Sequence, residues 1–87
     1  MFVILVYDVQ VKRVTRVLKA CRKYLTWVQN SVLEGEITGA RLQALKAEIG
    51  GIINEEKDSV AIYKLRTDLY LEKETMGVKK NEPESII

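Results

Sequence analysis

The sequence predicts an α+β sandwich in which one β-sheet is covered on one face by two helices. Three observations lead to this prediction. A continuous apolar segment at 2–7 opens the chain, a segment with helical spacing follows it, and the same strand and helix patterns return in the second half. A chain of 87 residues forms one small domain. Such a domain buries only about 60 to 65 % of its unfolded surface, so a second subunit is expected to complete the core.

The first strand and the first helix are the most clearly marked elements. Residues 2–7, FVILVY, are apolar and rich in β-branched side chains, which is typical of a central strand covered on both faces. Asp8 follows this strand directly. Apolar residues then recur at steps of three and four. This spacing predicts a helix whose apolar stripe consists of Val11, Val14, Val17, Leu18, Cys21, Tyr24 and Leu25.

The middle of the chain predicts two short strands and a second helix. β-forming residues dominate 25–38, but Gln29-Asn30-Ser31 and Gly35 interrupt them, which favours two strands with a break near Asn30. Thr38 can cap the next helix. The apolar stripe of that helix consists of Leu42, Leu45, Ile49, Ile52 and Ile53.

The last third of the chain predicts one clear strand. Residues 55–58, EEKD, are interpreted as a solvated turn, and 59–66, SVAIYKLR, as a β-branched strand beside the first strand. Beyond Arg66 the periodicity weakens. The sequence there favours a helical turn followed by a strand around Met76 and Val78.

This order of elements is typical of the ferredoxin-like fold, a βαββαβ sandwich with both helices on one face of the sheet. The opposite face is expected to be open, and Tyr7, Trp27 and Tyr63 are candidates to line it.

The C-terminal residues predict a contact between subunits. After Pro83 the chain ends in two isoleucines, which are expected to form an additional strand on the sheet edge of another subunit. The predicted organisation is therefore a ferredoxin-like domain at 1–78 and a partner-pairing segment at 79–87, in a homodimer.

Composition removes several kinds of chemistry. Cys21 is the only cysteine and histidine is absent, so an intrachain disulfide, a cysteine zinc cluster and the usual general base are excluded. Any catalysis depends on carboxylates, a metal ion or both. The longest apolar segment, 2–6, is too short to span a membrane and has no basic leader, so a cytoplasmic protein without membrane contact is expected.

Asp8 has two interpretations. Aspartate is a favoured N-cap residue, so its carboxylate can simply cap the helix or a turn. Alternatively, it is a metal-binding or catalytic group at the strand end. One carboxylate holds Mg²⁺ poorly, because that ion requires an octahedron of oxygen ligands. Two copies of Asp8 across a dimer axis could hold Mg²⁺ or Mn²⁺ with water and a phosphate, and so support phosphodiester hydrolysis.

The first helix is strongly basic although the net charge is only +2. Basic residues of this kind either form a solvated surface or bind the phosphates of a nucleic acid. The absence of acidic residues from the same segment favours binding, because a helix that only provides solubility usually mixes both signs. The basic residues are Lys12, Arg13, Arg16, Lys19, Arg22 and Lys23.

Several segments together resemble CRISPR-associated protein 2, the small universal subunit of the spacer-acquisition machinery. They occur in matching order over nearly the whole chain. The most specific combination is Tyr7-Asp8 at the end of the first strand with Val28-Gln29-Asn30-Ser31-Val32. The segments are VYDV at 6–9, the basic helix, WVQNSVLEGEIT at 27–38 and DSVAIYKLR at 58–66.

The resemblance implies partners and site residues. It implies a homodimer that is clamped between dimers of the CRISPR integrase, CRISPR-associated protein 1, and that holds the duplex DNA of a new spacer. It also implies a Mg²⁺-dependent endonuclease with Asp8 as metal ligand and Tyr7 beside it at the catalytic cleft. Arg13 and Arg16 would contact phosphates, and Ser31 would lie near the cleft. The charge of the helix adds Lys12 and Lys19 to the expected nucleic-acid contacts.

Three functions are open on the sequence. The first is an adaptation subunit that bridges integrase dimers and binds duplex DNA, and it is favoured because one carboxylate per chain makes a thin active site. The second is a Mg²⁺-dependent endonuclease, on single-stranded RNA or duplex DNA, that uses Asp8 paired across the dimer. The third is a toxin-like ribonuclease of the related virulence-associated group, which has the same fold and dimer.

Overall fold

The computed structural model describes residues 1–65 and 71–78. These residues form five strands and two helices, in the order β1(Phe2–Asp8), α1(Val11–Arg22), β2(Thr26–Gln29), β3(Val32–Glu36), α2(Gly39–Gly50), β4(Ser59–Leu65) and β5(Leu71–Gly77). The strand predicted around Met76 and Val78 is therefore confirmed at Met76, and it ends one residue before Val78. The predicted helical turn after Arg66 and the predicted partner-pairing segment at 79–87 lie outside the described residues.

The strands form one antiparallel sheet in the order β2-β3-β1-β4-β5. The first strand lies at the centre, between β3 and β4, so its predicted central position and its pairing with the 59–66 segment are both confirmed. The order β2-β3-β1-β4 is that of the ferredoxin-like fold, and β5 extends the sheet beyond β4. The predicted α+β fold, a βαββαβ sandwich with an additional strand, is confirmed.

Both helices pack on one face of this sheet. On β1, Val3, Leu5 and Tyr7 are buried, whereas the side chains between them are only half-buried. The prediction that β1 is covered on both faces is therefore wrong for the single chain, because its second face is apolar but open. The buried side chains of β1 form one core with helix residues Val17, Cys21, Leu42, Leu45 and Ile49.

The apolar stripe of α1 is confirmed except at its two ends, because its first residue is exposed and its last two, Tyr24 and Leu25, follow the end of the helix. Val17 and Cys21 are fully buried, but Val11 is 89 % exposed. Helical spacing shows which residues share a face without showing where the covering layer ends, and Val11 lies in the first turn. Burial raises the pKa of the Cys21 thiol to about 12, which agrees with its interpretation as a core residue.

The predicted cap of the second helix is confirmed. The Thr38 hydroxyl accepts a hydrogen bond from the backbone N–H of Arg41 at 3.2 Å, and α2 ends at Gly50. Its buried face consists of Leu42, Leu45 and Ile49. Neither described helix is long and apolar enough to cross a membrane.

The sheet face opposite the helices, called the open face here, is apolar along its two central strands, and the strands beside them add the charged residues Glu34, Glu36 and Lys73. Because side chains alternate along a strand, β1 and β4 present a continuous set of residues there. Tyr63 belongs to this set, as predicted, since it pairs with Ile4 across the two strands. The set consists of Phe2, Ile4, Val6, Ala61, Tyr63 and Leu65.

Two of the three aromatic residues predicted on the open face lie on the helix side, so that prediction is wrong for them. Tyr7 belongs to the core between sheet and helices. Trp27 pairs with the core residue Leu33, and the guanidinium of Arg22, at the end of α1, lies 5.6 Å from the centre of its ring. The continuous apolar segment of β1 gave no indication of which alternate residues face the helices.

Candidate nucleic-acid and metal site

Asp8 lies at the end of the central strand. It is the last residue of β1, its side chain is exposed, and its partner across the sheet is Ser59 at the start of β4. Alternation along the strand places it on the same face as Val6, at the end of the open apolar face. The N-cap residue of α1 is Gln10, and the helix begins at Val11. A helix-cap position therefore does not account for Asp8.

Tyr7 lies on the opposite side of the sheet from Asp8. Its side chain is 4 % exposed, and its hydroxyl donates to the carbonyl oxygen of Asn30 at 3.5 Å. Burial raises the pKa of this hydroxyl, so it stays protonated at neutral pH. The structure thus places the Tyr7 hydroxyl on the helix side of the sheet. The predicted role of Tyr7 at the catalytic cleft stays a prediction.

Ser31 is held next to the end of β1. Its carbonyl oxygen accepts a hydrogen bond from the backbone N–H of Tyr7 at 3.1 Å. The preceding residue, Asn30, has a φ of 42°, in the left-handed region, and its carbonyl oxygen accepts from Nε1 of Trp27 at 2.9 Å. These bonds fix the turn between β2 and β3 and keep Ser31 next to the end of β1. A contact between Ser31 and nucleic acid stays a prediction.

Arg13, a predicted phosphate contact, is engaged inside the protein. Its Nε and Nη2 donate to the two oxygens of Asp58, and Nη2 also donates to Oε1 of Gln10 at 2.8 Å. Only 12 % of the Arg13 side chain is exposed. A phosphate would have to compete with this bidentate ion pair for the guanidinium. The geometry therefore does not favour the predicted phosphate contact at Arg13, which remains untested.

Asp58 corrects the interpretation of 55–58 as a solvated turn, because it is fully buried. Besides the Arg13 guanidinium, the backbone N–H groups of Gln10 and Asn54 donate to its carboxylate, each at 2.9 Å. The hydrogen bond from Arg13, with those from the two N–H groups, holds the pKa of Asp58 well below its usual range.

The sequence held one signal for this buried pair. Arg13 lies four residues before the buried Val17, on the core-facing side of α1. A cation on a buried stripe requires a buried anion, because an unpaired charge away from water is strongly unfavourable. The pattern could therefore have predicted a partner for Arg13, but not which carboxylate supplies it.

Four of the other five basic residues form a stripe on the exposed face of α1, and the fifth, Arg22, lies against Trp27. Steps of four, three and four place the members of this basic stripe on one side of the helix. Lys23 pairs with Glu48 at 2.8 Å, whereas no ion pair among residues 1–65 and 71–78 involves the other three. The stripe consists of Lys12, Arg16, Lys19 and Lys23.

A groove of about 450 Å³ runs between the two helices beside this stripe. Arg16, Lys19 and Lys23 line it together with Ala20, Ile52 and Glu48. Arg16 and Lys19 offer positive charge to an anionic chain there, whereas Lys23 is paired with Glu48. The helices cover one face of the sheet and Asp8 ends the other face. The basic stripe and Asp8 therefore lie on opposite sides of the sheet, and the loop between β1 and α1 connects them.

A metal ion fits the site of one chain only in part. Within the described residues, no three side chains of His, Cys, Asp or Glu are grouped so that they could hold a metal ion. The Asp8 carboxylate supplies a hard oxygen donor of the kind that Mg²⁺ prefers. The remaining ligands would have to come from water, a phosphate or a second copy of the chain.

Known proteins resemble this chain over its full length. The family model described as CRISPR associated protein Cas2 matches residues 1–73. The chain is 55 % identical over 87 residues to the CRISPR-associated endoribonuclease Cas2 of Dictyoglomus turgidum, and both chains are covered completely. It is 54 % identical to the protein of the same name from Thermococcus kodakarensis, again over 100 % of both. A crystal structure of Streptococcus pyogenes Cas2 has a TM-score of 0.71 and 36 % identity, and the match covers 78 % of this chain and 89 % of that one.

Proposed function

This chain belongs to the Cas2 family of CRISPR-associated proteins, and from that premise we propose that it is a homodimeric, Mg²⁺-dependent endoribonuclease. The observation that carries the proposal is the full-length identity of 54 and 55 % to two proteins named endoribonucleases. The sequence alone favoured the integrase-bridging role, since one carboxylate per chain supplies few ligands for a catalytic metal ion. We now favour the nuclease, because the relatives are named endoribonucleases.

The open sheet face supports a homodimer. It carries contiguous apolar residues of β1 and β4, and Leu65 on it is 41 % exposed. The Tyr63 hydroxyl on the same face is buried and has no hydrogen-bond partner among the described residues. Contiguous apolar surface of this kind is typical of an interface. A second copy related by a twofold axis would cover it with the same face of its own sheet.

This dimer would bring two Asp8 side chains to one interface. Asp8 continues the line of Ile4 and Val6 along β1, at the edge of the apolar face. In a twofold interface each copy contributes the same residues, so a second Asp8 lies at the same interface. Two carboxylates with water and a substrate phosphate form an oxygen shell suited to Mg²⁺ or Mn²⁺.

The residues of the candidate site then have separate roles in RNA cleavage. The bound metal ion would polarise the scissile phosphate and activate water. The Asp8 carboxylates would hold that ion, and the buried Tyr7 supports the turn that carries Ser31 beside the strand end. Lys12, Arg16 and Lys19 offer positive charge to the phosphates of the rest of the substrate. A cytoplasmic location belongs to the same proposal.

The direct test compares single-stranded RNA and duplex DNA as substrates, in Mg²⁺ and in a chelator. We expect cleavage of RNA that requires Mg²⁺, disappears in Asp8→Ala and persists in Glu55→Ala. The control removes an exposed carboxylate from the loop between α2 and β4. Cleavage that survives in Asp8→Ala, or that needs no metal ion, would contradict the proposal.

The dimer is tested separately by measuring the molar mass in solution. Ile4→Glu puts a charge in the middle of the open face and is expected to convert the dimer to a monomer. Lys57→Glu, in the exposed loop before β4, makes an even larger charge change outside the strands of that face and is expected to leave the dimer intact. A wild-type monomer would end the paired-Asp8 model.

A second candidate function is supported by the basic stripe of α1. We propose that the same homodimer binds duplex DNA along this stripe, bridges dimers of the CRISPR integrase, CRISPR-associated protein 1, and so serves spacer acquisition. In this role Lys19→Glu would weaken DNA binding and flatten its salt dependence, whereas Lys57→Glu would not. DNA binding without cleavage of either substrate would make this the working function.

A further inference from the structure

A buried carboxylate lies directly behind the candidate site. Asp58 precedes Ser59, the residue that pairs with Asp8 across β1 and β4, and no part of Asp58 is exposed. Burying a carboxylate is strongly unfavourable unless hydrogen bonds and a counter-charge satisfy it. The hydrogen bonds to Asp58 show which parts of the chain its carboxylate connects.

The first contacts are with the loop that leaves Asp8. The backbone N–H of Gln10, two residues beyond Asp8, donates to Oδ1 of Asp58 at 2.9 Å. Arg13 holds both carboxylate oxygens, and its Nη2 reaches Oε1 of Gln10 at 2.8 Å. The backbone N–H of Arg13 also donates to the carbonyl oxygen of Gln10 at 2.8 Å. The segment between Asp8 and α1 is therefore bonded to Asp58 both directly and through Arg13.

The second contacts fix Asp58 itself. Its N–H donates to the carbonyl oxygen of Asn54 at 2.7 Å, and its carboxylate accepts the Asn54 N–H at 2.9 Å. Its carbonyl oxygen accepts the N–H of Val78 at 2.8 Å, beside Gly77 at the end of β5. A Cβ on Gly77 would lie 1.8 Å from that oxygen, so the two backbones are in direct contact. Asp58 is thus anchored on the opposite side from Asp8.

We propose that Asp58 is a positioning residue, whose carboxylate holds the backbone after Asp8 and thereby sets the direction of the Asp8 side chain. The inference rests on the proposed function, because it concerns the carboxylate that would bind the metal ion. It also gives Arg13 a different role from the predicted phosphate contact. Arg13 acts through Asp58 and Gln10, and its guanidinium faces the interior. A metal site built on one carboxylate per chain depends on such support, because small displacements of that oxygen disturb the shared geometry.

The contact between Asp58 and the loop after Asp8 can be broken to test this role. Gln10 has a φ of −65°, which proline can adopt. In Gln10→Pro a ring carbon takes the place of the amide hydrogen that Asp58 holds, so it collides with Oδ1 and forces the carboxylate and the loop apart. The matched control, Gln10→Ala, removes the same side chain and keeps the N–H.

We expect Gln10→Pro to lower kcat for RNA cleavage by about tenfold at an unchanged KM, because the basic stripe is untouched while the loop that carries Asp8 is separated from Asp58. Gln10→Ala should cleave at close to the wild-type rate. Equal rates in the two variants would overturn the inference while the proposed function stands. If the wild type itself does not cleave RNA, the proposed function fails instead.

Hydrogen exchange provides a test that does not depend on activity. The Gln10 amide is expected to be strongly protected in the wild-type protein and to lose that protection in Asp58→Ala, which removes the acceptor, while the amides of Leu5 and Ile62 stay protected. A wild-type Gln10 amide that exchanges as fast as an unstructured peptide would contradict the inference. So would full protection in Asp58→Ala. This measurement decides the question even if Gln10→Pro does not fold.

Discussion

Two aspartates at the same end of the sheet have opposite environments. Asp8 ends β1 with its side chain exposed, whereas Asp58, next to the cross-strand partner of Asp8, is fully buried. Asp58 receives hydrogen bonds from Gln10, Asn54 and Arg13. Its lone pairs are therefore occupied within the protein and out of reach of solvent. The comparison shows that burial, rather than residue type, separates a carboxylate that holds the fold from one that solvent can reach.

The comparison predicts that truncating the two carboxylates changes stability by very different amounts. Asp58→Ala leaves Arg13 without its counter-charge and should lower the free energy of unfolding by about 4 kcal/mol. Asp8→Ala should change it by less than about 0.5 kcal/mol, since the side chain is exposed, while abolishing RNA cleavage. Chemical denaturation of both variants measures this difference. Equal losses of stability in the two variants would show that both carboxylates contribute alike to folding, which would contradict the comparison.

The anchor behind Asp58 can be disturbed without touching either carboxylate. Gly77 has a φ of 90° and lies against the Asp58 carbonyl oxygen, so Gly77→Ala combines backbone strain with a collision. We expect a loss of about 2 kcal/mol in the free energy of unfolding. Gly50→Ala is the control, because the nearest atom to its added Cβ is Cε of Met76 at 3.8 Å. A Gly77→Ala protein as stable as Gly50→Ala would argue against a rigid anchor.

Acid should act on the buried carboxylate. The pKa of Asp58 is lower in the folded protein than its ordinary value of 3.8, chiefly because of the hydrogen bond from Arg13. The folded protein therefore binds fewer protons at this group than the unfolded chain, and the stability it adds above that value is lost as the pH falls toward the folded pKa. Thermal unfolding between about pH 5 and pH 2 should show a steeper decline for the wild type than for Asp58→Asn. Parallel declines would contradict the assignment.

Much of the fold could be predicted from local patterns. The apolar residues of 2–7, the helical spacing after Val11 and the β-branched residues of 59–66 each mark an element by its own sequence. Their order then restricts the topology to few possibilities. Asp8 could be singled out for the same reason, because a charge directly after an apolar strand is a local signal. The basic stripe is equally local, since the spacing of its residues along one helix determines it.

The environment of Asp58 could not be predicted in this way. Its partner Arg13 is 45 residues away in the chain, and the charges at 55–57 around it are typical of a solvated turn. The side of the sheet that Tyr7 faces could not be predicted either, because every residue of 2–7 is apolar and no alternation marks the two faces. Both features depend on which segments pack together. The local periodicity of a sequence does not show which distant segments pack against each other.

The most direct test of the account is a Mg²⁺ titration of the protein with ¹³C-labelled aspartate, observed at the side-chain carboxyl carbons. We predict that the Asp8 resonance shifts saturably with Mg²⁺ while the Asp58 resonance stays in place, and that Asp58→Asn weakens the response of Asp8. This result would assign metal binding to the exposed carboxylate and support of the backbone to the buried one. An Asp8 resonance that does not respond to Mg²⁺, or an Asp58 resonance that responds in its place, would contradict the account.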